Sequence, residues 1–191
     1  KHLQRSRREK LVTQAPDFYL QHLHITESYD QLQGCALVIE CTLENLDIKK
    51  SVYSKIEAVI DKNALLASNT SAIPISILQQ QTTHPSRFFG LHWAEPSHTT
   101  RFLEVICGNE SDIAKGEYLY ELSHLWGKEP TPVRKDIRGF ITNRIMYAMY
   151  REAISLVEQG YATVEDVDRA CRNNAGYWMT LVGVFRWMDL T

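Results

Sequence analysis

Blocks of apolar and polar positions over the first two-thirds of the chain predict strands and helices in alternation. ALVIEC (residues 36–41) is an apolar run, as expected of a strand buried on both faces of a sheet. Asp47 then opens a helical pattern whose apolar residues share one face: Ile48, Val52, Ile56, Val59 and Ile60. ALLASNT (64–70) is predicted as the next strand, and Pro74 suits the first turn of a short helix that reaches about Gln81.

Two further strands are predicted at FFGLHW (88–93) and RFLEVI (101–106), with a loop containing Pro96 between them. A helix is predicted from Asp112 to Trp126, where Gly127 stops it, and TPVRK (131–135) is predicted as the last strand. Strands and helices that alternate with short connections predict a parallel α/β sheet.

The period of the pattern changes after Gly139. Residues 140–159 carry apolar positions at helical spacing without a breaker, and Gly160 stands where a helix C-cap is expected. Thr163-Val-Glu-Asp166 resembles a capping box that opens another helix. The sequence therefore predicts an α/β domain over residues 1–136 and an all-helical domain over residues 137–191.

Composition limits the classes of function. The chain has 191 residues, 44% of them hydrophobic, and a formal net charge of −2, which argues against nucleic-acid binding. No apolar run reaches the ~18 residues that a membrane span needs, so no membrane partner is expected. Four cysteines without a CxxC spacing are interpreted as reduced core residues, which indicates a cytoplasmic location.

Four polar residues stand in apolar or glycine-marked segments and are the candidates for chemistry: Ser71, His92, Glu104 and Asn143. A histidine oriented by a carboxylate is a good general acid or base near neutral pH. A hydroxyl and an amide nearby would hold a substrate oxygen. These residue types predict an enzyme that moves a proton on or off a hydroxyl group.

A metal site is the other interpretation of this region. His92, Glu95 and His98 are three positions apart, which suits ligands on one face of a helix. Because Pro96 and the preceding strand disfavour a helix here, no metal is predicted.

The chain resembles the L-3-hydroxyacyl-CoA dehydrogenases, including the short-chain 3-hydroxybutyryl-CoA enzymes. The motifs that carry the resemblance occur in the family's order: LVIECTLENLDIKK, LLASNTSAIPI, RFFGLHWAEP, FLEVICG and RGFITNRIMYAMYREAISLVEQGYATVEDVD. The resemblance implies a Rossmann-like NAD-binding domain followed by a helical domain that builds a homodimer.

The resemblance also implies roles for the four candidates. His92 would be the catalytic base that takes the proton from the 3-hydroxyl as hydride passes to NAD, and Glu104 would orient its imidazole. Ser71 would contact the substrate oxygen beside the nicotinamide, and Asn143 would reach the substrate carbonyl. Capping of a helix by Ser71 and packing of Asn143 within its helix are the structural alternatives.

Cofactor contacts are implied at Glu44, Lys49, Ser71 and Glu95. Glu44 and Lys49 follow the first predicted strand, at the sheet edge where such folds bind ligands, although a surface pair at a helix start is the structural alternative. Glu95 stands where the family usually has an asparagine. It therefore brings a carboxylate to the nicotinamide end of the cofactor.

The family's G-x-G-x-x-G turn does not occur in the sequence, and we expect its strand–turn–helix unit to be missing from the N-terminus by truncation or, alternatively, by true loss. The predicted function is an NAD-dependent oxidoreductase that interconverts L-3-hydroxyacyl-CoA and 3-ketoacyl-CoA. A dehydrogenase of a non-CoA hydroxy acid, and a catalytically silent crystallin-like protein of the same fold, are the alternatives.

Overall fold

A five-stranded sheet in the order β1-β2-β3-β4-β5 lies at the centre of the α/β region in the computed structural model, which describes residues 2–10 and 12–191. The strands are β1 Leu37–Glu40, β2 Leu65–Ser68, β3 Phe88–Trp93, β4 Phe102–Cys107 and β5 Glu129–Val133. All five lie within four residues of the predicted positions. The α/β fold class is confirmed.

One strand pair departs from the predicted parallel arrangement. Strands β1, β2 and β3 pair in parallel, as do β4 and β5, but β3 and β4 are antiparallel. The cause is the connection at residues 94–101, which carries no helix and is too short for the crossover that a parallel pair requires. The reversal brings residues of β3 and β4 directly opposite each other.

Helices cover both faces of the sheet. The helices of the α/β region are α1 His2–Arg8, α2 Pro16–Leu20, α3 Leu46–Glu57, α4 Ile75–Gln79 and α5 Ile113–Leu125. Helices α3 and α4 pack on one face in a cluster that includes Tyr53, Leu78 and Phe88, and α5 packs on the other through Leu119. This two-faced burial explains the apolar runs of the strands.

The predicted apolar face of the α3 segment is buried except at its start, since Ile56 and Ile60 are buried and Val52 and Val59 pack against the same core cluster. Asn45 caps this helix by accepting a hydrogen bond from the backbone N–H of Ile48 at 3.0 Å, and the residues buried in α3 are Lys49, Tyr53 and Ile56. The predicted core residue Ile48 is 39% exposed. At the start of α3 the interior position is taken by Lys49, whose ammonium binds the buried carboxylate of Glu40 on β1.

The chain after Gly139 is helical: α6 Thr142–Glu158, α7 Val164–Ala170, α8 Gly176–Leu181 and α9 Val184–Leu190. Helix α6 begins two residues later than predicted, because Phe140 takes a left-handed conformation with φ 49° and is fully buried. Gly160 has φ 76° just beyond α6, and Thr163 and Asp166 form the predicted capping box of α7. Within residues 142–190, none of the helices has a buried side chain.

The cysteines form no disulfide. All four are free, and the interpretation as core residues holds for Cys35 and Cys107, which pack against the two core clusters, but not for Cys41. Cys41 is exposed because it follows the last residue of β1 at the edge of the sheet, and Cys35, Cys107 and Cys171 are only partly buried.

Candidate active site

His92 and Glu104 form a buried pair across two strands. The antiparallel register places His92 of β3 directly opposite Glu104 of β4, so both side chains leave the same face of the sheet. The Nδ1 atom of His92 lies 2.8 Å from the Oε2 atom of Glu104, and the two residues are 6% and 0% exposed. Since a carboxylate accepts, this bond assigns the proton to Nδ1 and leaves Nε2 as the ring nitrogen that can accept a proton.

Two phenylalanine rings flank the imidazole of His92. The ring of Phe102 meets it edge-on with centroids 5.6 Å apart, and the ring of Phe140 lies 5.5 Å away at a tilt of 53°. These apolar walls reduce the access of water to the His92–Glu104 pair, which strengthens the electrostatic interaction between the two side chains.

Glu104 also binds the start of the helical segment. Its Oε1 atom accepts hydrogen bonds from the backbone N–H groups of Ile141 and Thr142, at 3.0 and 2.9 Å. Burial alone would raise the pKa of Glu104, but the hydrogen bonds from His92 and from these N–H groups outweigh burial and lower it. The N-terminus of α6, where the helix dipole is positive, therefore keeps this carboxylate ionised.

Ser71 and Asn143 come together although they lie in different parts of the chain. The Nδ2 atom of Asn143 donates to the backbone carbonyl of Ser71 at 2.7 Å. An amide nitrogen carries two hydrogens, so one remains available for another acceptor. Ser71 is exposed, in the loop that follows β2. Helix α6 therefore supports both the Glu104 carboxylate and the Ser71 loop.

Glu44 crosses from the loop after β1 to the loop after β2. Its Oε1 atom accepts from Thr70 Oγ1 at 2.5 Å and from the backbone N–H groups of Ser71 and Ala72 at 3.1 Å each. Burial would raise the pKa of Glu44, but these bonds and the nearby Lys49 ammonium lower it. Its side chain stays 39% exposed, so Glu44 is open to the space beside Ser71.

Lys49 does not form the surface pair that was the alternative interpretation. The residue is 1% exposed, and its Nζ atom lies 2.9 Å from both carboxylate oxygens of Glu40 and 3.5 Å from Oε2 of Glu44. Sequence reasoning missed Glu40. The signal that could have revealed it is a single charged residue inside the otherwise apolar strand LVIE.

Glu95 lies in the loop of residues 94–101 that connects β3 to β4, and it is exposed. Lys128 holds this loop, because its ammonium donates to the backbone carbonyls of Ser97 and Thr100. Sequence reasoning also missed this anchor, since Lys128 lies more than twenty positions away, just before β5. The predicted polar residues and this loop thus lie around one edge of the sheet.

Comparison with known proteins identifies the family. The sequence model described as "3-hydroxyacyl-CoA dehydrogenase, NAD binding domain" matches residues 1–137, and "3-hydroxyacyl-CoA dehydrogenase, C-terminal domain" matches residues 139–191. The chain belongs to the 3-hydroxyacyl-CoA dehydrogenase family.

Members of this family differ in the substrates that their names give. The chain is 37% identical over 161 residues, 84% of its length, to "5-formyl-3-hydroxy-2-methylpyridine 4-carboxylate 5-dehydrogenase" of Mesorhizobium japonicum, of which it covers 52%. A solved structure of that enzyme, described as an NAD⁺-dependent dismutase, is similar with a TM-score of 0.82 over 85% of this chain and 52% of that one. The structure of (S)-3-hydroxybutyryl-CoA dehydrogenase from Ralstonia eutropha has a TM-score of 0.86 and 31% identity, covering 92% of this chain and 62% of that one.

The chain therefore spans about half the length of the pyridine-carboxylate relative in this family. Among residues 2–10 and 12–191, no cluster of three His, Cys, Asp or Glu side chains is arranged to hold a metal ion. In the same residues, no helix is long and apolar enough to cross a membrane.

Proposed function

We propose that this chain is the catalytic part of an NAD-dependent dehydrogenase that interconverts L-3-hydroxyacyl-CoA and 3-ketoacyl-CoA. The single observation that carries the proposal is the buried His92–Glu104 pair, joined by a hydrogen bond of 2.8 Å. The hydrogen bond from Asn143 to the backbone carbonyl of Ser71 supports it. Membership of the 3-hydroxyacyl-CoA dehydrogenase family supports the substrate class.

His92 is the general base in this proposal. Nε2 takes the proton of the 3-hydroxyl group, while Nδ1 keeps its hydrogen bond to Glu104. The charge of Glu104 then stabilises the imidazolium that forms, as a buried carboxylate does for a catalytic histidine. Ser71 and the second amide hydrogen of Asn143 orient the substrate oxygens. In the reverse reaction His92 returns the proton to the carbonyl oxygen.

The residues at this edge fit the nicotinamide end of NAD. The cofactor supplies a hydride acceptor when it is bound, and the candidates to hold it are Ser71, the partly exposed carboxylate of Glu44, and Glu95. Lys49 supports Glu44 from inside the protein, since its ammonium already has carboxylate partners. Only the nicotinamide end of NAD is assigned to these residues, because the sequence contains no G-x-G-x-x-G turn to bind the pyrophosphate.

A dehydrogenase of a non-CoA carboxylate is the second candidate. The observation that favours it is the 37% identity to a dehydrogenase whose name gives a pyridine carboxylate as substrate. The same His92–Glu104 pair would serve either substrate. The presence of all four candidate residues disfavours a catalytically silent protein of the same fold. These residues are Ser71, His92, Glu104 and Asn143.

The experiment uses the natural gene product. NADH binding is titrated by fluorescence, and NADH oxidation is then followed with acetoacetyl-CoA and, separately, with a formyl-hydroxypyridine carboxylate. We expect NADH binding and oxidation that depends on acetoacetyl-CoA. Oxidation only with the pyridine compound would establish the second candidate instead. Absence of NADH binding would refute both enzymatic candidates.

We also propose a homodimer in a reducing, cytoplasm-like compartment. Helices α6 to α9 carry exposed apolar side chains, among them Ile154, Leu181, Phe185 and Met188. Surfaces of this kind on adjacent helices are typical of an interface between subunits. The four free thiols support the compartment.

A further inference from the structure

A fully buried ion pair lies below the candidate cofactor edge. Glu40, the last residue of β1, is 3% exposed, and Lys49 on α3 is 1% exposed. The ammonium of Lys49 is 2.9 Å from each carboxylate oxygen of Glu40. Such a pair gives up the hydration of two charges and is weak evidence for a gain in stability, so its presence at this edge requires another reason.

Glu40 is held rigidly. Besides Lys49, its carboxylate accepts hydrogen bonds from the hydroxyl of Tyr53 at 3.0 Å, from Oγ of Ser68 at 2.7 Å, and from the backbone N–H and hydroxyl of Thr42. Burial would raise the pKa of Glu40, but the hydrogen bonds from Thr42, Ser68 and Lys49 lower it. The anion is thus a fixed point between β1, β2 and α3.

Lys49 connects Glu40 to the candidate site by a second ion pair, with Glu44. Its ammonium lies 3.5 Å from Oε2 of Glu44, and the other oxygen of Glu44 accepts the backbone N–H groups of Ser71 and Ala72. The contacts therefore run without a break from Glu40 through Lys49 and Glu44 to the loop that carries Ser71.

We propose that Glu40 is a positioning residue that holds the Ser71 loop through Lys49 and Glu44. The effect of Glu40 on catalysis rests on the proposed function, in which Ser71 orients the substrate oxygen. Replacement of Glu40 leaves Lys49 to pair with Glu44 alone. The bond geometry of Glu44 to Ser71 and Ala72 then changes, and the loop loosens.

A second buried ion pair offers a matched control. Glu57 and Arg87 have side chains that are 6% and 3% exposed, with 3.6 Å between charged atoms. Glu57 likewise accepts two backbone N–H groups, from Thr83 and His84, at 2.7 and 3.1 Å. This pair lies at the amino ends of the parallel strands, the end opposite Ser71, so its loss affects stability without touching the site.

The test is amide hydrogen exchange at Ser71 and Ala72 in the natural gene product, compared among wild type, Glu40→Gln, Lys49→Met and Glu57→Gln. We expect exchange at both amides to become roughly tenfold faster in Glu40→Gln and Lys49→Met, as for a weakened hydrogen bond to a charged acceptor. Exchange at both amides should stay unchanged in Glu57→Gln, although all three variants melt at lower temperature.

The double variant Glu40→Gln/Lys49→Met removes both charges and keeps the test decisive if a single variant does not fold. It should recover melting temperature, as replacement of a whole buried pair often does, while Ser71 and Ala72 still exchange quickly. If those amides stay protected in folded Glu40→Gln or in the double variant, Glu40 is merely structural and the proposal is overturned.

Steady-state kinetics separate this proposal from the proposed function. We expect Glu40→Gln to raise KM for the ketoacyl substrate and lower kcat, with Glu57→Gln close to wild type. A wild-type protein without turnover would defeat the proposed function alone, because hydrogen exchange at Ser71 needs no substrate.

Discussion

Groups from several elements of the fold hold His92. Glu104 binds Nδ1 from the neighbouring strand, Phe102 meets the ring edge-on, and Phe140 packs against it from the turn before α6. Glu104 is in turn bound by the N–H groups of Ile141 and Thr142. The geometry of the pair thus depends on the sheet and on the first turn of α6 together.

The lowered pKa of Glu104 makes a prediction about acid stability. A carboxyl group whose pKa is lower in the folded state stabilises the fold above its ordinary pKa of 4.5, and the stabilisation is lost as pH falls through the lowered value. Glu104→Gln should therefore lower the free energy of unfolding by about 1–3 kcal/mol at neutral pH. The difference from wild type should shrink below pH ~4. Urea titrations at several pH values measure it.

The exposed Glu152 on α6 provides the control for this experiment. Glu152→Gln should leave the free energy of unfolding within about 0.5 kcal/mol of wild type at neutral pH. A gap between Glu104→Gln and wild type that stays constant down to acid pH would contradict the role given to the Glu104 charge.

For single residues, the sequence indicated the candidate reactive side chains but not the groups that hold them in place. His92 and Glu104 stood out because polar residues in apolar strands are rare. The segments around them, RFFGLHWAEP and FLEVICG, also resemble motifs of the family. Backbone donors such as Thr142 could not be foreseen, since they depend on where α6 begins. Glu40 carried the same signal, a charged residue in a short apolar strand, but its partner Lys49, nine positions away, could not be foreseen from the sequence.

The connection between β3 and β4 decides the geometry at the scale of elements. Its shortness makes the two strands antiparallel, and this register sets His92 opposite Glu104. The sequence predicted both strands but not their direction, because the alternation of the other elements suggested a uniform parallel sheet. The twelve-residue separation of the pair becomes a direct cross-strand contact only in this topology.

Lys128 is expected to hold the loop of residues 94–101 in place. Lys128→Met should remove the donor to the carbonyls of Ser97 and Thr100 and loosen the loop that carries Glu95. We expect KM for NADH to rise several-fold with a smaller change in kcat, because the loop lies outside the His92–Glu104 pair. Steady-state kinetics with varied NADH measure this effect.

Lys128→Arg keeps the charge and donors and is the conservative control, so it should retain more of the NADH affinity than Lys128→Met. Equal KM for NADH in Lys128→Met and wild type would show that the loop does not need this anchor.

The end of α6 depends on the left-handed conformation of Gly160. With φ at 76° and open space around the position of a side chain, Gly160→Ala adds backbone strain without a steric clash. We expect a loss of about 1 kcal/mol in the free energy of unfolding, and no change in KM or kcat. Chemical denaturation of both proteins gives the value, and an equally stable Gly160→Ala protein would refute the role of the C-cap.

The two parts of the molecule differ in how their apolar side chains are covered. The sheet and helices α3 to α5 enclose two buried clusters, whereas the described residues of α6 to α9 have no buried side chain. The sequence predicted the helices themselves, since their periodicity and caps are local signals. It could not predict what covers their apolar faces, because that depends on surfaces outside each helix.

A charge on the apolar face of α6 should weaken the proposed homodimer. Ile154 is 57% exposed and lies with Val157 and Val164 in a groove between α6 and α7. Ile154→Glu in the natural gene product should shift the sedimentation coefficient toward that of a monomer, because a carboxylate is costly to bury at an interface. Arg151→Glu, at an exposed polar position on the same helix, is the control and should sediment as wild type. A monomeric wild type would contradict the proposed dimer.

The most direct test of the account is the turnover number of His92→Asn in the natural gene product, with acetoacetyl-CoA and NADH. Loss of the base should lower kcat by roughly 10²–10⁴-fold while NADH still binds. The control His84→Asn changes an exposed histidine before the amino end of β3 and should keep wild-type turnover. A His92→Asn protein that turns over within a few-fold of wild type would contradict the assignment of His92 as the general base.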